Sequence, residues 1–388
     1  MWYLSQLGRR EHYALPSYLH EQGKLGLFAT DVWCGLAGLV PHGLMPRKLA
    51  QRYNANLNGA PIISLGLVKS AINAFSRQED SLRWVGEGRQ FGDFVSAQFA
   101  KTTIGAADVV LGYTAANLEQ LKLAASRRAI GLHVQVDPGR EWYLTRQAEQ
   151  REFPSVEDEA KMPHESFFER VQEEWALATK VIVHSEHSKS ALISQGVGPE
   201  KVIVAPPAFD PPQGGVARAG KPGQSLRVLF VGNHCLAKGF HYYVQAAKMA
   251  PRQMEFHSAG RIMLKDDYRA HVAKHVRMHG HLAQADVWKL MANSDVLVFP
   301  TLSDGFGLVQ LEAMSLGLPV ISTSACGGVV RDGIDGLKIS SRDHRVIIAA
   351  LMRLMESPDL QAMMSVAALE RSADFSAKNH YAALANLL

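Results

Sequence analysis

Cysteine is scarce in this chain: Cys34, Cys235 and Cys326 are the only three in 388 residues. They are too few and too scattered for a disulfide framework or a cysteine-based zinc site. Each reads as a small buried hydrophobe in a reducing, cytoplasmic setting. A strong charge of one sign is also lacking. The formal net charge of +4 is small for this length, which argues against dedicated nucleic-acid binding but leaves room for a local basic cleft that takes anions. No apolar run reaches transmembrane length, and the opening MWYLSQLGRREHY lacks the charged lead and long apolar region of a signal peptide. Sixteen histidines are present, but none has H-E-x-x-H spacing or a cysteine partner. A G-x-S-x-G elbow and a Walker A lysine motif are missing too. No metal site and no cofactor are therefore expected.

What is present is length, apolar content and rhythm. A chain of 388 residues, 47% hydrophobic and 20% charged, exceeds the usual single-core limit and predicts two soluble domains. Short apolar runs at 2–5, 26–29, 109–112, 129–136 and 180–184 predict strands in the first half. Runs at 227–231, 254–259, 296–299 and 318–323 predict them in the second. Amphipathic segments such as 12–21, 167–178, 240–249 and 346–356 lie between them. This β-α-β-α alternation implies α/β architecture with parallel sheets covered by helices on both faces. Right-handed crossovers then gather all strand C-termini on one edge, where ligands bind. The stretch 206–225, PPAFDPPQGGVARAGKPGQS, is rich in Pro, Gly and small residues and marks the domain break. The expected division is a first domain at 1–210, a linker at 211–225 and a second domain at 226–370. A C-terminal helix at 371–388 is expected to pack back across the junction.

The most informative segment is PTLSDGFGLVQLEAMSLGLPVIST, 300–323. Asp304-Gly305-Phe306-Gly307 precedes a helix expected to begin near Leu308. Unpaired N–H groups at a helix start attract phosphate, and the two glycines let the backbone approach an anion closely. Glu312 follows Leu308 by four residues, on the same face and roughly 6 Å along the axis. That is about the span from a nucleotide's diphosphate to its ribose, whose hydroxyls a carboxylate accepts. An ordinary exposed helix glutamate has the same spacing.

Taken together, these residues resemble family 4 glycosyltransferases, retaining and metal-independent enzymes of the GT-B architecture. In that architecture two Rossmann-like doubly wound domains face each other across a cleft. Asp304 to Glu312 has the spacing of the family's E-x7-E motif. The segments 173–210, LFVGNHCLAKGFHYYVQAAK at 229–248 and HVRMHGHLAQADVWKLMANSDVLVFP at 275–300 are similar to further family blocks. The resemblance is continuous, strongest over 173–340, and includes GRREHYALPSYLHEQGKL near the start.

The resemblance implies a glycosyltransferase using a nucleotide-diphosphate sugar that is UDP-, GDP- or ADP-linked. The acceptor would be a glycan, a lipid-linked molecule or a small molecule. It implies donor-sugar contacts at Asp304, phosphate contacts from Phe306, Gly307 and Leu308, a ribose contact at Glu312, and diphosphate neutralisation by Lys238. Gly232 and Asn233 fall in the family's donor-binding turn. Two departures stand out. Asp304 is one methylene shorter than the family's usual glutamate, and Asn233 occupies the position of its usual arginine. An asparagine donates hydrogen bonds but brings no charge, a loss on the order of 1–3 kcal/mol of transition-state stabilisation. Arg9 or Arg10 in the first loop, or Arg261, is a candidate replacement cation. Gly8 is a candidate acceptor-side turn. His133 and Asp137 are candidates for the sugar and acceptor region, although His133 also reads as a core histidine and Asp137-Pro138-Gly139 as a plain turn. Gly327-Gly328 face the cleft if the fold is right. Many such enzymes work on the inner membrane face, so peripheral membrane association is compatible. Epimerisation of a nucleotide sugar on the same fold, and a degenerate sugar-nucleotide-binding protein, are the alternatives.

Overall fold

The structure is a computed structural model that describes residues 1–35, 52–66, 80–211 and 225–386. Most of the expected linker at 211–225 lies outside the described residues.

The first sheet has strands β1 (Trp2–Gln6), β2 (Leu25–Thr30), β3 (Ile62–Ser64), β4 (Val109–Tyr113), β5 (Ile130–Gln135), β6 (Lys180–Val183) and β7 (Val202–Val204). Its order is β3-β2-β1-β4-β5-β6-β7, with parallel pairing throughout. The second sheet has β8 (Leu226–Val231), β9 (Met254–Ala259), β10 (Arg277–Met278), β11 (Val296–Phe299), β12 (Val320–Ser322) and β13 (Gly336–Lys338). It runs β10-β9-β8-β11-β12-β13, again parallel. Central strands such as VVLGY and VLVF are buried along their whole length, because helices cover both faces of each sheet. β3, β7, β10 and β13 are two or three residues long and sit at or beside sheet edges, too brief to stand out in the sequence.

The doubly wound α/β architecture follows the expectation, but the first 210 residues do not form one undivided unit. After β5 the chain enters the helix Arg140–Glu152 and the segment behind it, which cross to the second domain. Phe153 and Val156 pack in the core built around β8 and β9. Glu157 forms an antiparallel bridge with Leu264, and Lys265 N–H donates to Val156 O at 3.0 Å. Two buried carboxylates fix the crossing. Glu149 accepts from Tyr242 Oη at 2.6 Å, His241 Nε2 at 3.0 Å and Arg342 Nε at 3.0 Å. Glu157 accepts from Arg146 Nε at 2.7 Å and from Leu236 N–H at 3.0 Å. The chain then returns to the first domain through the helix Glu165–Leu177.

The C-terminal helix Ala377–Ala385 packs on the first domain's helix Ala14–Glu21. Tyr381 lies edge-on to Trp2 at 5.7 Å, accepts from Lys24 Nζ at 2.8 Å, and Leu384 enters the first core. The preceding helix, Pro358–Ala373, stays with the second domain and runs slightly past the expected limit of 370.

The Glu149 cluster makes the stability of the crossing depend on pH. Burial pushes its carboxyl up, but the hydrogen bonds from His241, Tyr242 and Arg342 together outweigh burial and hold it below the ordinary value. A carboxylate depressed in the fold contributes stability above its unfolded value, about 4.3, and loses it as pH falls through the lower folded value. Glu149→Gln is therefore expected to cost about 2–3 kcal/mol at neutral pH. The gap from wild type should shrink as urea melts are taken down through the acid range. A gap independent of pH would show that the charge is not what holds the crossing segment.

Candidate active site in the interdomain cleft

Both sheets change direction at their first strand. β1 lies between β2 and β4, and β8 between β9 and β11, so each sheet has its switch point where the C-terminal end of that strand opens a crevice. The two crevices face each other and form one cavity of roughly 660 Å³. The loop after β1 supplies Gly8, Arg9, Arg10, Glu11 and His12. Tyr113, at the end of β4, and His184, just past β6, complete that wall. The opposite wall comes from the loops after β8 and β11, with Gly232, Asn233, Lys238, Asp304, Gly307 and Leu308.

Lys238 ends a single 3-10 turn, Leu236–Lys238, closed by Gly239 at φ +67°. A Cβ on Gly239 would stand 1.9 Å from Pro300 O, so both the conformation and the space require glycine. Lys238 Nζ is ion-paired with Asp304 Oδ2. Burial pulls the lysine down, but the Asp304 charge and hydrogen bond outweigh it and hold the ammonium above its ordinary range. Asp304 Oδ1 also accepts from Phe306 N–H at 3.4 Å. The Phe306 amide expected at the phosphates is thus turned back on its own loop. Its ring is buried against Phe375.

The helix after this turn spans Val309–Met314 with Leu308 as its N-cap. Gly307 has φ +82°, and a Cβ there would meet the Phe299 ring at 2.5 Å. Glu312 is set one turn behind the cavity wall. Its Oε1 accepts from Gln284 Nε2 at 2.9 Å and lies 3.8 Å from His12 Nε2 of the first domain. Gly305, read from the sequence as a place for close anion approach, has a different neighbour. A Cβ on it would lie 1.9 Å from Val136 O, at the end of β5. Its missing side chain lets the two domains touch.

Arg9 and Arg10 both line the cavity, and the Nε of each is buried with no hydrogen-bond partner among the described residues. Arg10 lies over the Tyr113 ring at 5.3 Å. Arg261, the third candidate cation, is exposed and outside the cavity. Gly8 lines the cavity with φ +81° and donates to Asp31 Oδ1 at 3.0 Å.

His133 is a correction. It points into the first core, fully buried, with Nε2 3.3 Å from Gln135 Oε1 and Nδ1 3.8 Å from buried Glu174. Burial pushes its imidazole down to about 4, so it is a neutral core residue that does not reach the cavity. Asp137 stands at the domain seam behind the cavity wall. It accepts from Gln135 Nε2 at 2.8 Å and Gly139 N–H at 2.9 Å, and burial nonetheless raises its carboxyl. Gly327 lies beneath the Phe306 ring, where a Cβ would meet carbon at 2.3 Å. Neither it nor Gly328 lines the cavity.

The sequence reading passed over Glu11, Tyr113 and His184. Glu11 is 9% exposed and His184 6%. His184 Nε2 lies 3.7 Å from Glu11 Oε1, and Tyr113 Oη donates to the same oxygen at 3.3 Å. Glu11, His12 and Tyr13 all have positive φ, at 49°, 53° and 66°, which for residues with a Cβ costs about 1–2 kcal/mol each. Gln6 Nε2 bonds Arg10 O at 3.4 Å, Asn54 Nδ2 bonds His12 O at 3.1 Å, and the Tyr13 ring is anchored in the core. The cavity as a whole has cations on both walls and carboxylates that can accept hydroxyl hydrogens. It suits a polyhydroxylated anion. Among the described residues no group of three or more His, Cys, Asp or Glu could hold a metal ion, and no helix is long and apolar enough to cross a membrane.

Residues 225–357 match the family model described as glycosyl transferases group 1. A D-inositol 3-phosphate glycosyltransferase of Streptomyces griseus is 34% identical over 110 residues, which is 28% of this chain and 23% of that protein. The same enzyme of Kineococcus radiotolerans is 26% identical over 234 residues, 51% of this chain and 54% of that one. The matched part thus spans between a quarter and about half of these relatives. Among solved structures, sucrose-phosphate synthase from Thermosynechococcus elongatus superposes with a TM-score of 0.69 at 17% identity, covering 100% of this chain and 98% of its own. Anabaena HepE in complex with UDP-glucose superposes at 0.60 with 16% identity, covering 99% of both chains. This likeness establishes the two-domain GT-B fold.

The seam at Gly305 is directly testable. Gly305→Ala must displace the Val136 carbonyl and is expected to cost about 1–3 kcal/mol, read as a lowered melting temperature. Gly328→Ala, with nothing within 4 Å of the new methyl, is the matched control and should be near neutral. Equal melting temperatures for the two would mean the domains do not meet at this point.

Proposed function

We propose that this protein is a retaining glycosyltransferase that moves a sugar from a nucleotide-diphosphate donor to a hydroxyl-bearing acceptor. The observation that carries the reading is the Lys238–Asp304 ion pair beside Gly307 and Leu308, faced across the cavity by Arg9 and Arg10. A departing nucleoside diphosphate needs cations near its oxygens, and here they come from both domains. Lys238 has three donors, so it can hold Asp304 and a phosphate oxygen together. Arg9 and Arg10 stand in for the charge that Asn233 does not bring. Asp304 accepts from a donor-sugar hydroxyl, and Glu312, oriented by Gln284, accepts from the ribose.

In this reading the bond between the sugar's anomeric carbon and the diphosphate oxygen breaks as the acceptor oxygen bonds to that carbon on the same face. The acceptor's proton passes to the leaving phosphate oxygen, so no separate base is needed. UDP is the first choice of nucleotide, on the strength of the UDP-glucose complex of the HepE neighbour, with GDP and ADP as alternatives. The names of the sequence relatives favour a small phosphorylated polyol as acceptor over a glycan or a lipid-linked molecule. Work at the inner face of a membrane, by peripheral attachment, is compatible with this chemistry.

A thermal-shift panel of UDP, GDP, ADP and their sugar derivatives tests the donor. Binding to the native state at a hundredfold excess over Kd stabilises by about 2.7 kcal/mol, so one nucleotide should raise the melting temperature clearly. Lys238→Ala should retain the fold and lose at least about tenfold in turnover, about 1.4 kcal/mol of transition-state stabilisation. If no nucleotide shifts the melting point, or Lys238→Ala turns over at the wild-type rate, the reading fails.

A further inference from the structure

We infer that Glu11, positioned by His184 and Tyr113, is the acceptor-hydroxyl subsite of the cavity. The inference rests on the transferase reading and assigns to the first-domain wall a role that Lys238 and Asp304 leave open. The carboxylate is buried, yet only one of its oxygens is engaged. Oε1 faces Tyr113 Oη and His184, whereas Oε2 has no hydrogen-bond partner among the described residues. A buried carboxylate oxygen without a donor is costly, and Glu11 belongs to the cavity lining. The group that completes it is a donor, and in a cleft that takes sugars the available donor is a hydroxyl.

The surrounding architecture holds this carboxylate in place. Glu11 opens the run of three non-glycine residues with left-handed backbone, a conformation that persists only where the surroundings enforce it and that collects at ligand sites. On one side His184 Nδ1 is 2.9 Å from Ala205 O. A carbonyl only accepts, so Nδ1 carries a proton, and the Nε2 edge of the ring packs against Glu11 Oε1 at 3.7 Å, beyond hydrogen-bond distance. On the other side, Arg10 covers the Tyr113 ring and so restrains the hydroxyl that donates to Oε1. The neighbouring His12 reaches Glu312 of the second domain. The strained turn thereby spans the cleft, with Glu11 on the acceptor wall and His12 at the donor wall. Glu11 accepts a hydrogen bond from an acceptor hydroxyl at Oε2 and orients it; His184 and Tyr113 are positioning residues.

The experiment uses the full chain and three variants, Glu11→Gln, His184→Asn and Tyr113→Phe. Affinities for UDP, GDP and ADP are measured by calorimetry. Transfer from the matching glucose donor is measured to myo-inositol 3-phosphate, glucose and glycerol. Glu11→Gln should raise the KM of the accepted polyol at least tenfold with nucleotide affinity within twofold of wild type. The two positioning variants should raise the same KM by a smaller factor, with kcat falling less. A wild-type acceptor KM in Glu11→Gln overturns the inference, as does a loss of nucleotide affinity that matches the loss of turnover. Should Glu11→Gln not fold, wild-type KM values in both His184→Asn and Tyr113→Phe overturn it. Wild-type protein that binds no nucleotide and transfers to no acceptor sinks the transferase reading itself, a result separate from the others.

Discussion

The carboxylate of Glu157 is the point on which the cleft depends. It belongs by sequence to the first half of the chain, yet it is fully buried against the second domain. There it accepts the Leu236 amide at the start of the turn that ends in Lys238. A 3-10 turn of three residues has almost no stability of its own. Its first amide needs an acceptor, and the acceptor is brought from 79 residues away. Arg146, eleven residues earlier in the crossing helix, pairs with the same carboxylate. The position of the cleft's central lysine is therefore set by a segment from the other domain, and the two walls of the cavity cannot be placed independently.

The same coupling recurs at each place where the domains meet. Glu149 gathers donors from His241, Tyr242 and Arg342; Gly305 lies against the β5 terminus at Val136; and Tyr381 and Leu384 return the C-terminal helix to the first core. Hydrogen bonds to a buried charge are stronger than those between neutral groups, but they are unforgiving, because removing one partner leaves the charge uncompensated. Polar seams of this kind fix geometry more sharply than an apolar interface of the same size would. That suits a cavity whose cations and carboxylates sit on both walls.

How far the sequence revealed this differs from element to element. The central strands were legible because a parallel strand buried on both faces is a continuous apolar run, and Val109–Tyr113 and Val296–Phe299 are such runs. The same property hid the fate of His133. Where both faces are buried, alternation does not say which way a side chain points, and the imidazole lies in the core. The crossing segment was illegible for the opposite reason. REWYLTRQAEQREF has the look of a polar helix of the domain it follows, and only the fold shows that Glu149 within it and Glu157 just behind it are buried. Gly305 was recognised as a position that demands glycine, but the neighbour that demands it is a carbonyl of the other domain. Glu11 directly follows Arg9 and Arg10 in the first loop. Its chemistry arises from a left-handed turn that no local propensity encodes, since Glu, His and Tyr all disfavour it.

In the proposed reading, that turn also gives a reason for the uncharged Asn233. A site that draws its cations from both walls lets either wall carry less charge. Here the loop after β1 brings Arg9 and Arg10 into the cavity with unpartnered Nε atoms, and the loop after β8 carries the uncharged Asn233 beside Lys238. Moving positive charge from the second domain to the first makes charge compensation at the leaving group depend on the cleft being assembled. With Lys238 the one lysine or arginine of that wall among the described residues lining the cavity, a diphosphate bound as proposed is only partly neutralised there. Full compensation requires the arginines on the opposing wall, whose loop also holds Glu11. Since attraction between unit charges falls with both distance and dielectric, the leaving group is stabilised most when the walls are close and water is excluded. In the proposed reading the arrangement therefore ties departure of the diphosphate to the same loop that orients the acceptor, and disfavours loss of the sugar to water.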